Sequence, residues 1–197
     1  EIVFPAAILQ YPFFSTESDD AVNYGGIGAV ICHEMTHGFD DQGRQYTKDG
    51  NLQDWWTPED AEKFKEKTKL LVEQFNNYVE LDSLHINGEL TLGENIADLG
   101  GLTIAYDGLQ RALKKNPQPD KIDGLTPDQR FCLSWAQVWR QNIRPEELMK
   151  RLHDDVHSPA DARVNCALPN LDAFYSAFGI KEGDKLYRPK VQRAKIW

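Results

Sequence analysis

Apolar residues recur at helical spacing along much of this chain, and the clearest example begins at residue 57. Thr57 suits an N-cap, Pro58 suits the first helical position, and an acidic first turn follows. Apolar residues then repeat at intervals of four or seven positions: Phe64, Leu71, Phe75 and Val79. The pattern predicts an amphipathic helix.

Two more long helices are predicted in the second half of the chain. From about Leu92 to Lys115 one apolar stripe ends in two lysines, which a helix C-terminus favours. The stripe consists of Leu99, Leu102, Tyr106, Leu109 and Leu113. Thr126 repeats the cap signature and opens a helix that ends before Pro145.

An earlier helix is predicted to start at Asp19 or Asp20 and to run to about Gly38. Three glycines inside it, at positions 25, 26 and 28, each cost roughly 1 kcal/mol of helix stability. Because they are present despite that cost, we expect a closely packed neighbour there.

Shorter elements complete the prediction. Residues 2–14 are apolar with two prolines and indicate a short edge strand that continues as an extended segment, which could align a substrate chain. Short helices are expected at 146–153 and at 171–178, the second closed by Gly179. The expected fold class is therefore mainly α with a small β element.

Length and composition limit the number of domains and the classes of partner that the protein can have. The 197 residues suit one domain, residues 1–197, and no apolar stretch approaches the roughly 18–20 residues that cross a bilayer. A formal charge of -9 argues against a nucleic-acid partner, since phosphate binding needs clustered Lys and Arg. The charge suits a divalent cation better.

Three cysteines, Cys32, Cys132 and Cys166, are too few and too widely spaced for a disulfide framework, and none forms a Cys-x-x-Cys metal pair. We expect them to be mostly buried small residues. Glu1 lies within a strand-like run with no leader or initiator methionine before it, so we expect this chain to be part of a longer protein.

The chemistry is concentrated at residues 33–37, His-Glu-Met-Thr-His. His33 and His37 are four residues apart, so on a helix both imidazoles lie on one face, the spacing that two ligands of one tetrahedral ion need. Glu34 could accept a proton from zinc-bound water without occupying a coordination position. The alternative is a chance match of unrelated surface or core histidines.

A third ligand is needed. One group of such enzymes has a histidine six residues after the second, but that position is Gly43 here, so this branch is excluded. Glu94 is the alternative, with Asp98 one turn later on the same helix face. Glu94 would bind the metal and Asp98 would orient a ligand histidine. Without the histidine pair, both would be interpreted as solvated helix charges.

Other candidates are less specific. Asp40 lies one turn after His37 and could orient it, although residues 40–43 also suit an ordinary helix-ending turn. His85, His153 and His157 would each, taken alone, be surface or core residues.

The chain resembles the C-terminal zinc domain of the neprilysin and endothelin-converting enzyme family over essentially its whole length. The motifs that carry the resemblance are residues 2–6 (IVFPA), 8–10 (ILQ), 23–28 (NYGGIG), 33–41 (HEMTHGFDD), 54–56 (DWW), 91–98 (TLGENIAD), 136–139 (AQVW), 155–159 (DVHSP) and Trp197. The resemblance implies a thermolysin-like (gluzincin) catalytic domain with one zinc ion.

The resemblance also implies roles for residues that spacing alone does not select. His157 would donate a hydrogen bond to the oxyanion, and Arg163 would bind a substrate carbonyl on the leaving-group side. The candidates for an apolar pocket that receives the residue after the cleaved bond are Ile8, Phe13, Ala29, Val30, Val138 and Trp139. For each of these, plain core packing is an equal alternative.

Three departures from the family are visible. The family's Asn-Ala pair, expected just before Glu1, is absent, as is the N-terminal domain that covers the active site. Animal members carry cysteines where this chain has Arg140 and Ala194, which suggests a bacterial relative.

The expected function is zinc-dependent endopeptidase cleavage of oligopeptides, with peptide substrates and the N-terminal domain of the same protein as partners. The resemblance places the protein outside the cytoplasm. A zinc-binding but inactive module is the main alternative. An exopeptidase would need a group that captures a free chain terminus, and we identify none.

Overall fold

Eight α-helices and one small hairpin make up the regular structure of residues 1–196, the part of the chain that the computed structural model describes. Trp197, one of the residues that carry the family resemblance, lies outside the described residues. The helices are α1 Asp20–Asn23, α2 Ala29–Thr36, α3 Pro58–Asn76, α4 Leu92–Lys115, α5 Pro127–Val138, α6 Pro145–Asp154, α7 Ala160–Asn165 and α8 Asp172–Phe178. Strands β1 Val79–Glu80 and β2 Leu84–His85 pair antiparallel.

The helices predicted from residues 57, 92, 126, 146 and 171 are confirmed, and several begin at the expected caps. Val79 is an exception within the first of them: α3 ends at Asn76, and Val79 is an exposed residue of β1. The side chains of Asp19, Thr57 and Thr126 each accept a backbone N–H in the first turn of the helix they open. At the other end of α8, Gly179 adopts a left-handed backbone with φ of 64°, which glycine adopts without strain. The fold class predicted from the sequence, mainly α with a small β element, is confirmed.

The helix predicted from Asp19 to Gly38 is interrupted by a π-helical turn. Tyr24–Gly28 forms that turn between α1 and α2, and a 3-10 turn at His37–Phe39 ends the segment. Gly25 and Gly26 sit against backbone: a Cβ on Gly26 would lie 2.5 Å from the carbonyl oxygen of Phe13, and one on Gly25 would collide with that of Phe131. The expected close neighbours are therefore the 10–14 segment and α5.

Helices α2 and α4 pack directly on each other, and this contact positions the site. A Cβ on Gly101 would lie 2.6 Å from the carbonyl oxygen of Ala29, and one on Gly100 would lie 2.6 Å from the side chain of Thr36. Only glycine allows the two backbones to come this close. The largest fully buried apolar side chains around them are Leu71, Phe75, Ile96, Leu102, Leu109, Phe131 and Trp135.

The strand predicted within residues 2–14 is wrong. This segment is irregular apart from a 3-10 turn at Ala6–Ile8, and its amides bond locally, as from Ile8 to the carbonyl of Pro5. Prolines at positions 5 and 12 remove two ladder donors, and in residues 1–196 the one ladder of two strands lies elsewhere, at β1 and β2. Without a partner strand, an extended segment of this composition gains no ladder hydrogen bonds.

Two sequence-based expectations concern cysteines and membranes. Cys132 and Cys166 are buried, Cys32 is half-buried, and all three are free thiols, as expected. Within the described part of the chain, no helix combines the length and the apolar character that crossing a membrane requires.

Candidate metal centre

His33 and His37 project from α2 and the turn that follows it, and they meet at one point. Their Nε2 atoms are 3.0 Å apart, and the two rings are nearly perpendicular. Two nitrogens that bind one tetrahedral zinc ion at about 2.0–2.1 Å are themselves about 3.3 Å apart. The pair is therefore close to the spacing that shared coordination requires.

Glu94 reaches the same point from the first turn of α4. Its Oε2 lies 3.3 Å from Nε2 of His33, and its Oε1 lies 3.6 Å from Nε2 of His37. One donor atom from each of the three residues falls within 4.8 Å of the other two. Oε2 of Glu94 is buried and accepts no hydrogen bond within residues 1–196. Two imidazoles and one carboxylate with a buried, unsatisfied oxygen fit a zinc ion.

Two aspartates hold the far side of each imidazole. Asp98 lies 2.9 Å from Nδ1 of His33, and Asp40 lies 2.7 Å from Nδ1 of His37. Because an ionised carboxylate only accepts, the neutral form of each imidazole carries its proton on Nδ1, which leaves the lone pair of each Nε2 for a metal. Asp40 also accepts the backbone amides of Gln42 and Gly43, so it is fixed in place.

The electrostatics of the cluster favour positive charge at its centre. Burial by itself lowers the pKa of His33, but the neighbouring carboxylates of Asp98 and Glu94 outweigh burial and raise that pKa to about 9 when a proton rather than a metal occupies Nε2. Burial likewise opposes ionisation of Glu94, yet the neighbouring histidines hold its pKa below the usual value. The same carboxylates would stabilise a cation between the imidazoles.

Arg163, on α7, is buried and bound to Asp98 by two hydrogen bonds. Nε donates to Oδ2 at 2.7 Å and Nη2 donates to Oδ1 at 2.6 Å. The guanidinium lies 3.7 Å from the centre of the Trp139 ring, and its Nη2 is 4.0 Å from Oε2 of Glu94. Asp98 therefore links the arginine to His33, and the arginine borders the metal centre.

His157 also lies next to Glu94, with its Nε2 3.3 Å from Oε2. The ring is held through Nδ1, which lies 2.9 Å from Oδ1 of Asp155, and the same oxygen accepts the backbone amide of His157. The loop between α6 and α7, which carries His157, is bound to α4 by a buried hydrogen bond of 2.7 Å from Oγ of Ser158 to Oδ1 of Asn95. With half of its ring exposed, His157 can reach a substrate next to the metal centre.

Asp155, Asn95 and Ser158 were not singled out from the sequence, although all three lie within the quoted motifs. Asp155 carries a usable signal, because an aspartate two residues before a histidine readily forms a turn that bonds its amide. The pairing of Asn95 with Ser158 spans 63 positions and has no local signal. Glu34 follows His33 directly and is exposed, so its carboxylate is open to solvent.

The six candidates for an apolar pocket differ in their exposure, and their sharing of one pocket stays a prediction. Trp139 alone among them lines an open cleft of about 850 Å³ bounded by the loop after α5, by α6 and by α7, which we call the α7 cleft. Its lining also includes His157 and Arg163. Ala29 is fully buried against α4. The other four, Ile8, Phe13, Val30 and Val138, are half-buried and outside the described lining of that cleft.

Comparison with known proteins shows a consistent set of similarities. The model of peptidase family M13 matches residues 1–194. Human neprilysin is 45% identical over 201 aligned residues and human endothelin-converting enzyme 1 is 46% identical over 199, each covering 100% of this chain. The chain spans only 26% of the length of these curated relatives.

Among solved structures, the zinc metalloprotease Zmp1 of Mycobacterium tuberculosis in complex with an inhibitor superposes with a TM-score of 0.95. It is 51% identical, and the match covers 98% of this chain and 30% of that one.

Proposed function

The chain belongs to peptidase family M13, and we propose that it is the zinc-binding catalytic part of a longer metalloendopeptidase. Its mainly helical architecture is the thermolysin-like gluzincin fold of that family. Peptidases of this family use a single zinc ion. From membership of this family we also propose that the substrates are peptides, that an N-terminal part of the same protein is a partner, and that the protein is located outside the cytoplasm.

One observation carries the proposal: three donor atoms, from His33, His37 and Glu94, converge within 4.8 Å, and each imidazole is oriented by its own aspartate. We assign these three residues as the zinc ligands, and Asp98 and Asp40 as the residues that orient the histidines. A bound zinc ion lowers the pKa of a coordinated water to about 7 and polarises a peptide carbonyl.

Glu34 is proposed as the general base. It is exposed beside the ligand pair, so its carboxylate can take a proton from the attacking water and later deliver it to the leaving amine. His157, held by Asp155, would donate a hydrogen bond to the carbonyl oxygen as negative charge develops there.

The structure adds a constraint on Arg163. Its Nε and Nη2 are already occupied by Asp98, so a substrate carbonyl would be bound by the remaining Nη1 or by sharing Nη2. We therefore propose that Arg163 has two tasks, holding Asp98 in position and reaching the substrate from the α7 cleft.

The ligand assignment is tested by metal analysis of the full-length protein. Glu94→Ala should lose most of its zinc, whereas Glu62→Ala, which removes an exposed carboxylate on α3, should keep all of it. Full zinc retention in Glu94→Ala would remove Glu94 from the ligand set.

The role of Glu34 is tested by Glu34→Gln, which keeps the shape of the side chain. Zinc content and fold should stay unchanged while peptide hydrolysis disappears, and Glu62→Gln should leave both intact. Surviving hydrolysis would exclude Glu34 as the base. If the wild-type protein binds zinc but cleaves no peptide, the chain belongs to a zinc-binding module without activity.

A further inference from the structure

The α7 cleft contains a second charged cluster that plays no part in the metal centre. Glu80, the last residue of β1, lines this cleft and is only 8% exposed. Its Oε1 is buried and has no hydrogen-bond partner in the described part of the chain. A buried carboxylate oxygen without a donor is costly, so a donor supplied from outside would stabilise it.

Asp161 on α7 is the neighbour of Glu80 in this cleft and is held in a fixed position. The hydroxyl of Tyr78 donates to its Oδ2 at 2.9 Å, and Asn165 donates in turn to that hydroxyl at 3.2 Å. Asp161 and Asn165 both line the cleft. The lining of the cleft therefore contains two neighbouring carboxyl groups, one buried on Glu80 and one exposed on Asp161 and hydrogen-bonded to Tyr78.

Among the described residues, no cation forms an ion pair with these two carboxyl groups. Within residues 1–196, neither Glu80 nor Asp161 forms an ion pair, and the cleft-lining Arg151 is instead bound to Glu147 at 2.9 Å. Burial, the charge of Asp161 and a hydrogen bond that protonated Glu80 makes with Asp161 raise the pKa of Glu80 to about 7. A positive group entering the cleft would relieve both the repulsion and the unsatisfied oxygen.

We propose that Glu80 and Asp161 form a subsite for the arginine or lysine side chain of a peptide substrate. The proposal rests on the proposed peptidase function, because the same cleft is lined by His157 and Arg163. A guanidinium has five donors in a planar fork and can reach two carboxylates at once. A calcium ion suits the site less well, since it takes about 6–8 oxygen ligands and two carboxylates supply at most four.

The test compares substrate pairs that differ only in charge. Two series of fluorogenic peptides carry either arginine or citrulline, its uncharged analogue of similar shape, at successive positions after the cleaved bond. The full-length protein is assayed with both, and the ratio of kcat/KM for arginine over citrulline is taken within each variant. This ratio cancels any general loss of activity caused by the substitution.

At one position the wild-type ratio should be about tenfold or more, as expected for charge-assisted hydrogen bonds. Glu80→Gln and Asp161→Asn should each bring the ratio towards one. Asp120→Asn, which removes an exposed carboxylate outside the cleft, should keep the wild-type ratio.

Two results would overturn the subsite. One is a wild-type ratio near one at every position, and the other is a high ratio that neither variant changes. A wild-type protein that cleaves both series equally would refute the subsite and leave the peptidase intact. Failure to cleave either series would refute the peptidase function, and the subsite with it.

Discussion

Replacing Asp98 by asparagine removes the charge that joins the metal centre to α7. Asp98 is 1% exposed, accepts two hydrogen bonds from Arg163 and contacts Nδ1 of His33. Asparagine fills the same volume but leaves the buried guanidinium without its hydrogen-bonded counter-charge, so that its ion pair is with the more distant Glu94, 4.0 Å from Nη2. Removing one partner of a buried ion pair costs about 3–5 kcal/mol.

The same substitution should weaken zinc binding, because the amide is a poorer partner for the imidazole. Loss of a residue that orients a metal ligand typically lowers metal affinity about 10–100-fold. Two assays separate the loss of stability from the loss of zinc affinity. Urea unfolding in the presence of a chelator reports stability without metal, and competition with a chromophoric chelator reports zinc affinity.

A matched control lies on the same helix. Asp107 pairs with Arg111 at 2.7 Å, but these side chains are 63% and 78% exposed, so Asp107→Asn should cost less than about 1 kcal/mol. Its zinc affinity should equal that of the wild type. If Asp98→Asn is no more destabilising than Asp107→Asn and binds zinc equally well, the reasoning about this buried network is wrong.

Three further predictions concern other parts of the structure. Gly101→Ala should destabilise the protein by about 1–3 kcal/mol, because the new Cβ would meet backbone atoms of α2. Gly38→Ala is the control: its Cβ would point into open space, so the substitution should be neutral or stabilising. Urea unfolding of both variants measures the difference. Ser158→Ala should cost about 1–3 kcal/mol by leaving the buried Oδ1 of Asn95 unsatisfied, while metal analysis should show full zinc content; an unchanged unfolding midpoint would contradict this. Glu80 has a higher pKa in the folded state than its ordinary value of 4.5, so the folded protein binds this proton more tightly and stability falls as the pH rises from 4.5 to about 7. Glu80→Gln should flatten that fall in unfolding experiments across the same pH range, and an unchanged slope would exclude the effect.

The parts of the fold that could be predicted from sequence are those with local causes. Thr57 and Thr126 mark the starts of their helices through a cap and a following proline, and the apolar periodicity then indicates the helical type of the segment. Periodicity alone does not fix the end of α3, because Val79 continues the helical spacing but belongs to β1. The pairing of His33 with His37 has a local cause of the same kind, because a spacing of four residues places both on one helix face.

Other parts depend on contacts between distant segments. The hairpin of β1 and β2 has only two residues in each strand, and its turn uses Leu81 and Asp82 at positive φ where a glycine would have signalled it. Helix α7 has six residues, too few for a periodic pattern, although Pro159 before it was a start signal. The proximity of Glu80 to Asp161 follows from the packing of these two unpredicted elements.

The zinc site is tested most directly by anomalous diffraction at the zinc edge from crystals of the full-length protein. The assignment predicts one peak about 2.0–2.1 Å from Nε2 of both His33 and His37 and about 2.0–2.2 Å from a carboxylate oxygen of Glu94. A peak at another place, or a third protein ligand other than Glu94, would contradict it.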